Sequence, residues 1–192
     1  MRRARDVVSV ALPADAAPAG DEQARLRTVE ALFRRHHARV YRLALRYAGG
    51  ETGFAEDVTQ DVFITLLERV DDLQTLDALE GWIYRVTCNR CLQRLRRRRM
   101  IERLRGLIPG LGGSAPPAPD VRLATQHELQ RVGSTLESLD PRERVVLCMH
   151  HLDGTPQHEI AEILGLSRGY VCKLLQRAQA RVREKGWDFD GQ

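Results

Sequence analysis

Between Gly106 and Asp120 the chain reads Gly-Leu-Ile-Pro-Gly-Leu-Gly-Gly-Ser-Ala-Pro-Pro-Ala-Pro-Asp, with four glycines and four prolines. A helix does not propagate through such a stretch. Pro lacks an amide proton and collides with the preceding turn, and Gly has the most backbone entropy to lose. The break divides the 192 residues into two segments, each the size of a small domain. The expected layout is a mobile tail over 1–24, a first module over 25–100 and a linker over 101–121. A second module over 122–186 and a short tail over 187–192 complete it.

Both modules read as helical. In the first, Val29, Leu32, Phe33, His36, Val40, Leu43, Ala44 and Tyr47 recur at spacings of three and four, and Gly49-Gly50 ends the run. Ala55, Val58, Val62, Phe63, Leu66 and Val70 form a second stripe. Trp82, Ile83, Val86, Asn89, Leu92 and Leu95 form a third that leads into a run of Arg. The acidic stretch Asp71–Glu80 lacks a stripe and reads as a loop. No stretch alternates apolar and polar residues as a strand would. The fold class expected is all-α, with two small helical domains.

Several function classes fall away. No apolar run approaches the roughly 20 residues that span a bilayer. The basic start and the stretch Val7–Leu12 imitate a signal peptide, but Pro13 and Asp15 end the stretch too early. A cytoplasmic chain without membrane insertion is expected. No nucleophile–base pair, phosphate-binding loop or dinucleotide fingerprint is found, so neither catalysis nor a cofactor is expected. Cys88-Asn-Arg-Cys91 has the spacing of a redox or metal pair, and Cys148, His150, His151 and His158 cluster further on. Zinc needs four ligands, or three and a water, at recognised spacings. Packing is the expected role of the Cys, and no metal site is expected.

Charge is segregated. Residues 51–80 hold nine acidic side chains against Arg69 alone, a net of −8. Residues 81–105 hold nine Arg against Glu102 alone, a net of +8, and residues 167–185 reach +5. One such run is commonly a solvated helix face. Two basic helices in two modules point instead to nucleic acid, because each phosphate neutralised releases counterions. The acidic stretch would repel DNA and suits a basic protein.

The most specific local pattern is Gln157-His-Glu-Ile-Ala-Glu-Ile-Leu-Gly-Leu-Ser-Arg-Gly-Tyr-Val-Cys-Lys-Leu174. A helix-turn-helix needs a small residue where its helices cross, here Ala161, and a residue that accepts positive φ at the turn, here Gly165. Ile160, Leu164, Leu166, Val171 and Leu174 take the inward positions. Asp140-Pro-Arg-Glu143 reads as a capped helix start, Thr155-Pro156 opens another helix, and Ser167 caps the last. The second helix of the motif, within 157–176, would enter the major groove with Arg168, Tyr170, Lys173 and Arg177 as reading residues. Arg168 suits either a guanine edge or a phosphate.

Taken together, the two modules resemble bacterial RNA polymerase sigma factors of the extracytoplasmic-function (ECF) type. Leu32-Phe-Arg-Arg-His-His-Ala-Arg-Val-Tyr-Arg-Leu-Ala-Leu-Arg-Tyr47, Ala55-Glu-Asp-Val-Thr-Gln-Asp-Val-Phe63 and Gly81-Trp-Ile-Tyr-Arg-Val-Thr-Cys-Asn89 are similar to successive segments of that family's region 2. Leu139-Asp-Pro-Arg-Glu-Arg144, Glu159-Ile-Ala161 and the helix to Ala178 are similar to its region 4. The resemblance implies that Asp57, Gln60, Asp61 and Phe63 bind core RNA polymerase. It implies that the loop before Trp82, with Trp82 and Asn89, captures the −10 promoter element as it melts, while Arg90, Arg94, Arg96 and Arg97 hold its phosphates. The helix-turn-helix then reads the −35 element as duplex, and an anti-sigma factor is a further partner implied. Leu79 stands where the family often carries Phe, and Cys172 and Leu174 stand where it often carries basic residues.

Two other readings compete. A stand-alone helix-turn-helix regulator that binds operators without polymerase explains 135–185 but leaves the first module without a use. A redox- or metal-responsive interaction protein would use the four Cys.

Overall fold

The computed structural model describes residues 19–69, 76–107 and 123–187. Residues 1–18, 70–75, 108–122 and 188–192, which include most of the expected tails (1–24 and 187–192) and linker (101–121), lie outside the described residues. The described residues form seven helices and no strand. These are α1 (Ala19–Tyr47), α2 (Thr52–Arg69), α3 (Leu76–Leu107), α4 (Leu123–Ser138), α5 (Pro141–His151), α6 (Gln157–Leu164) and α7 (Arg168–Glu184).

The first module packs α1, α2 and α3 along their apolar stripes. Helix α2 buries Phe54, Ala55, Val58, Thr59, Val62, Phe63 and Leu66, the three-and-four spacing of one helical face. The buried hydroxyl of Thr59 donates to the Ala55 carbonyl (2.7 Å) and that of Thr87 to the Ile83 carbonyl (2.7 Å), so neither is orphaned. Gly49 and Gly50 take φ of +68° and +97°, and the Gly50 amide closes the end of α1 on the Leu45 carbonyl (2.9 Å).

One sequence expectation is corrected. Leu76 to Glu80 open α3 rather than continuing an acidic loop. Leu79 and Ile83, four apart, are both 4% exposed and extend the buried stripe of α3 backwards. Glu80 is drawn onto α1 by Arg39 (3.2 Å) and Arg35 (3.8 Å). Acidity alone therefore does not mark a loop here. At its other end α3 runs to Leu107, beyond the expected module boundary at residue 100, and α1 begins at Ala19, inside the expected tail.

In the second module the local signals act as read. Asp140 takes extended backbone (φ −62°, ψ 144°), its carboxylate accepts from the Arg142 amide (3.1 Å), and Glu143 accepts from the Asp140 amide (3.1 Å). Gly165 is left-handed (φ +63°, ψ 41°), and the Leu166 amide returns to the Ala161 carbonyl (2.8 Å). The Ser167 hydroxyl accepts from the Tyr170 amide (3.3 Å). Ile160, Ala161, Val171, Leu174, Leu175, Ala178 and Val182 are buried between the helices. Arg131 of α4 lies over the Trp187 ring (5.4 Å) and ties α4 to the end of α7.

The two modules are in contact. Helix α3 packs on α5 and α6, and the buried side chains of both modules join one apolar cluster.

Candidate nucleic-acid and polymerase interfaces

Helix α7 presents a basic surface. Arg168 stands exposed at its first position, next to Ser167, whose hydroxyl caps the helix by accepting from the Tyr170 amide. Tyr170, Lys173 and Arg177 follow at i, i+3 and i+7 and so share one face. Lys173 and Arg177 are exposed. Tyr170 is half-buried because Arg142 of α5 lies over its ring (5.8 Å) and donates to its hydroxyl (3.3 Å). That pair fixes the ring rather than leaving it free to search. Leu174 is 3% exposed, so the absence of a basic residue there is a packing matter and does not change the exposed face.

Helix α2 presents an acidic surface. Asp57 and Gln60 are exposed and Asp61 is half-buried. Phe63 turns inward at 7% exposure and meets Phe33 edge-on (4.7 Å between centroids). It forms the floor of a shallow groove between α1 and α2 that Val29, Phe33, Tyr41, Ile64 and Leu67 also line.

Residues assigned to two different sites meet here. Arg94 of α3 reaches Asp57 (2.7 Å) and Asp61 (2.8 Å), and this pairing raises the guanidinium pKa through the Asp61 hydrogen bond first of all. The pairs are partly solvated, so each stabilises by at most about 1 kcal/mol and exchanges readily for an intermolecular partner. Arg98 is held likewise by Glu51 and Glu102. Arg90 donates to the Thr65 hydroxyl (3.0 Å) and to Gln93 (3.3 Å). Arg96 and Arg97 are exposed.

The face of α3 that carries Trp82 and Asn89 lies against the helix-turn-helix. The Asn89 amide donates to the Arg85 carbonyl (3.0 Å) and across the modules to the Ile163 carbonyl of α6 (3.1 Å). Trp82, Tyr84 and Arg85 face His158, Glu159 and Ile163 across a groove of about 570 Å³.

Arg46, Tyr84, Asp153 and Ile163 at this contact were not singled out by the sequence reading. The Asp153 carboxylate, 6% exposed, accepts from the Tyr47 hydroxyl (2.5 Å) and the Tyr84 hydroxyl (3.1 Å), and pairs with Arg46 (2.9 Å). Tyr84 also hydrogen-bonds the Thr155 hydroxyl (2.8 Å), so Thr155 serves α3 while Pro156 takes the α6 cap position with no side-chain cap. Burial, followed by the nearby Cys88, raises the pKa of both tyrosines, which stay neutral donors. The clearest sequence signal was Ile163. It is apolar outside the inward pattern of the helix-turn-helix, yet is only 7% exposed.

The cysteines are packing residues in this arrangement. Cys88, Cys91 and Cys148 are buried, and Cys172 is half-buried. Burial pushes the Cys88 and Cys148 thiols up to about 12. Among the described residues, no group of three or more His, Cys, Asp or Glu is placed to hold a metal ion.

The described residues are all helical, with an acidic helix in one module and an exposed basic helix, set in a helix-turn-helix, in the other. The sigma-70 region 2 family model matches residues 32–101, and the sigma-70 region 4 model matches residues 135–184. The chain belongs to the sigma-70 family, among its ECF members. It is 32% identical over 167 residues to the ECF RNA polymerase sigma factor SigE of Mycolicibacterium smegmatis, covering 85% of this chain and 63% of that protein. It is 32% identical over 158 residues to the RNA polymerase sigma factor CnrH of Cupriavidus metallidurans, covering 79% of this chain and 82% of that protein. The chain thus spans somewhat less than two thirds of SigE and most of CnrH. The structure of CnrH in complex with the cytosolic domain of CnrY aligns with a TM-score of 0.53 at 27% identity, covering 86% of this chain and 92% of that one. The sigma factor RpoE of Bartonella quintana, in complex with the anti-sigma factor NepR, shares the fold with a TM-score of 0.56 at 18% identity, over 83% and 96% of the two chains.

Proposed function

We propose that this chain binds core RNA polymerase and directs it to a set of promoters by reading their −10 and −35 elements. The observation that carries the proposal is the pair of unlike surfaces, an acidic α2 and a basic α7, on modules that match region 2 and region 4 in order. Asp57, Gln60 and Asp61 form the polymerase contact, with Phe63 beneath them as the apolar floor. The −10 element is taken by Trp82 and Asn89 as separated strand. Stacking on an aromatic ring is worth about 1–3 kcal/mol per base, which offsets part of the cost of opening the duplex. Arg90, Arg94, Arg96 and Arg97 hold the phosphates of that strand. On release by polymerase binding to Asp57 and Asp61, Arg94 becomes available for DNA, which couples the two events.

Arg168, Tyr170, Lys173 and Arg177 read the −35 element in the major groove. The first module comprises α1 to α3 and the second α4 to α7, with the intervening segment crossing the core enzyme. The chain performs no catalysis of its own, since RNA synthesis belongs to the polymerase. Its place of action is the cytoplasm, with the polymerase and its template. No helix of the described residues is long and apolar enough to cross a membrane. Both aligned structures are complexes with a regulatory partner, which supports an anti-sigma factor as a third partner.

Co-elution with purified core RNA polymerase tests the first step. The chain is expected to shift into the polymerase peak, and Asp57→Arg combined with Asp61→Arg to abolish the shift. A chain that never enters the peak, while binding duplex DNA alone, contradicts the proposal.

A further inference from the structure

We infer that Gln176 is a specificity-determining residue of α7, on an outward line with Gly169 and Lys173, and that its amide takes an adenine edge in the −35 element. The inference deepens the −35 reading proposed above and rests on it.

Helix geometry carries the first step. Val171, Leu174, Leu175, Ala178 and Val182 are buried and mark the side of α7 that faces its own module. At about 100° per residue, the line opposite them runs through Gly169, Lys173, Gln176 and Ala180. All four are exposed. Arg168 and Tyr170 stand on either side of this line rather than on it. A helix laid into the major groove turns the line opposite its core to the groove floor, where the base edges lie. Its flanks meet the walls, where the phosphates lie.

Hydrogen bonding carries the second step. Three other polar side chains of α7 are occupied by protein partners. The Tyr170 hydroxyl accepts from Arg142 (3.3 Å), Gln179 bonds His151 (3.0 Å), and Arg181 pairs with Glu143 (2.7 Å). Gln176 has no hydrogen-bond partner among the described residues. On the outward line, Gly169 and Ala180 carry no polar group, and the long stem of Lys173 lets its ammonium reach a phosphate beside the groove. Gln176 alone pairs a donor with an acceptor in one plane. That pairing matches the N6 amino group and N7 of adenine.

Gly169 carries the third step. It lies in the first turn of α7 and is not among the glycines with positive φ. A Cβ there would meet no atom within 4 Å, so packing within this chain does not require its absence. Glycine is a poor helix former, and one that neither the backbone nor a neighbour demands suits the close approach of a ligand. Such an approach seats the start of α7 deep in the groove and brings the base edges within reach of the Gln176 side chain.

The test uses the chain bound to core RNA polymerase and a promoter library randomised over the −35 element, read by sequencing the bound DNA. The wild type is expected to prefer adenine, on one strand, at one base pair. Gln176→Ala should reduce that preference by about five- to 150-fold and leave other positions unchanged. Gln176→Glu should move it from adenine to cytosine, whose N4 amino group donates to a carboxylate. A merely structural role for Gln176 does not exchange one base for another. Gly169→Ala should lower affinity for all −35 sequences alike, while its melting temperature stays level or rises because alanine favours the helix.

A loss in Gln176→Ala that spreads evenly over the library assigns the amide to a phosphate and overturns the base contact. Preferences unchanged in both Gln176 variants overturn it as well. Full affinity in Gly169→Ala overturns the close approach. A wild-type complex with no preference anywhere in the −35 element overturns the −35 reading itself, and the inference with it. A wild-type preference that survives every variant overturns the inference alone.

Discussion

Gly165 and His36 show how single residues constrain this chain in opposite ways. Gly165 holds φ of +63° at the turn of the helix-turn-helix, where a Cβ meets no neighbour, so only backbone strain opposes a side chain. Gly165→Ala is expected to destabilise the chain by about 1–2 kcal/mol in denaturant titration, without altering the m-value. His36 sits in the apolar stripe of α1 at 4% exposure, its Nε2 without a hydrogen-bond partner. Burial lowers its pKa from 6.5, Arg35 and Arg39 lower it further, and Glu80 opposes them. His151 is lowered as well, by burial and by His150. The unfolded chain therefore takes up protons first as pH falls. Their contribution to stability is complete above about pH 6.5 and is lost below it. The melting temperature should fall between pH 7.5 and pH 5.5, and His36→Gln should shrink that difference. An equal fall in the variant would remove His36 from the account. At this scale the sequence was informative where geometry is local, as at Gly165. It was silent on Asp153, because a carboxylate in a short polar loop looks solvated until its distant donors are placed.

Helices were legible when both their stripe and their ends were written locally. Helix α5 is the clearest case, with Asp140 and Glu143 bonding reciprocally. Asp140 also pairs with Arg99 of α3 (3.3 Å). Asp140→Ala should cost about 1 kcal/mol from the lost cap, read as a lower melting temperature. The start of α3 was missed because Asp77 and Glu80 obscured a stripe that only packing against α1 completes. Helix α7 carries the sharpest functional expectation. Lys173 is an exposed ammonium suited to phosphate. In the polymerase complex, Lys173→Ala should weaken promoter binding evenly across −35 sequences and reduce the slope of log K against log salt by about 1. Arg168→Ala should instead relax preference at one base pair, by about 1–3 kcal/mol, if its fork meets a guanine. A uniform loss from Arg168→Ala assigns it to phosphate.

The two modules were separable in sequence because the Gly/Pro stretch falls between them. Their mutual packing was not. It depends on which face of α3 meets α6, and no repeat or motif encodes a contact between residues 74 positions apart such as Asn89 and Ile163. The apolar Ile163, unused by the helix-turn-helix pattern, was the one trace of it. The same packing joins the surfaces that the proposed function uses. Arg94 of α3 bridges to Asp57 and Asp61 of α2, and Asp153 bridges the modules.

In vitro transcription tests the central claim most directly. Purified core RNA polymerase is supplied with a genomic promoter pool, with and without the chain, and RNA 5′ ends are mapped. Discrete start sites that depend on the chain and share −10 and −35 sequences are expected. Their loss on Asn89→Ala together with Trp82→Ala would place the melted strand at α3. Transcripts that do not depend on the chain, alongside binding of the chain alone to duplex operators, would contradict the account.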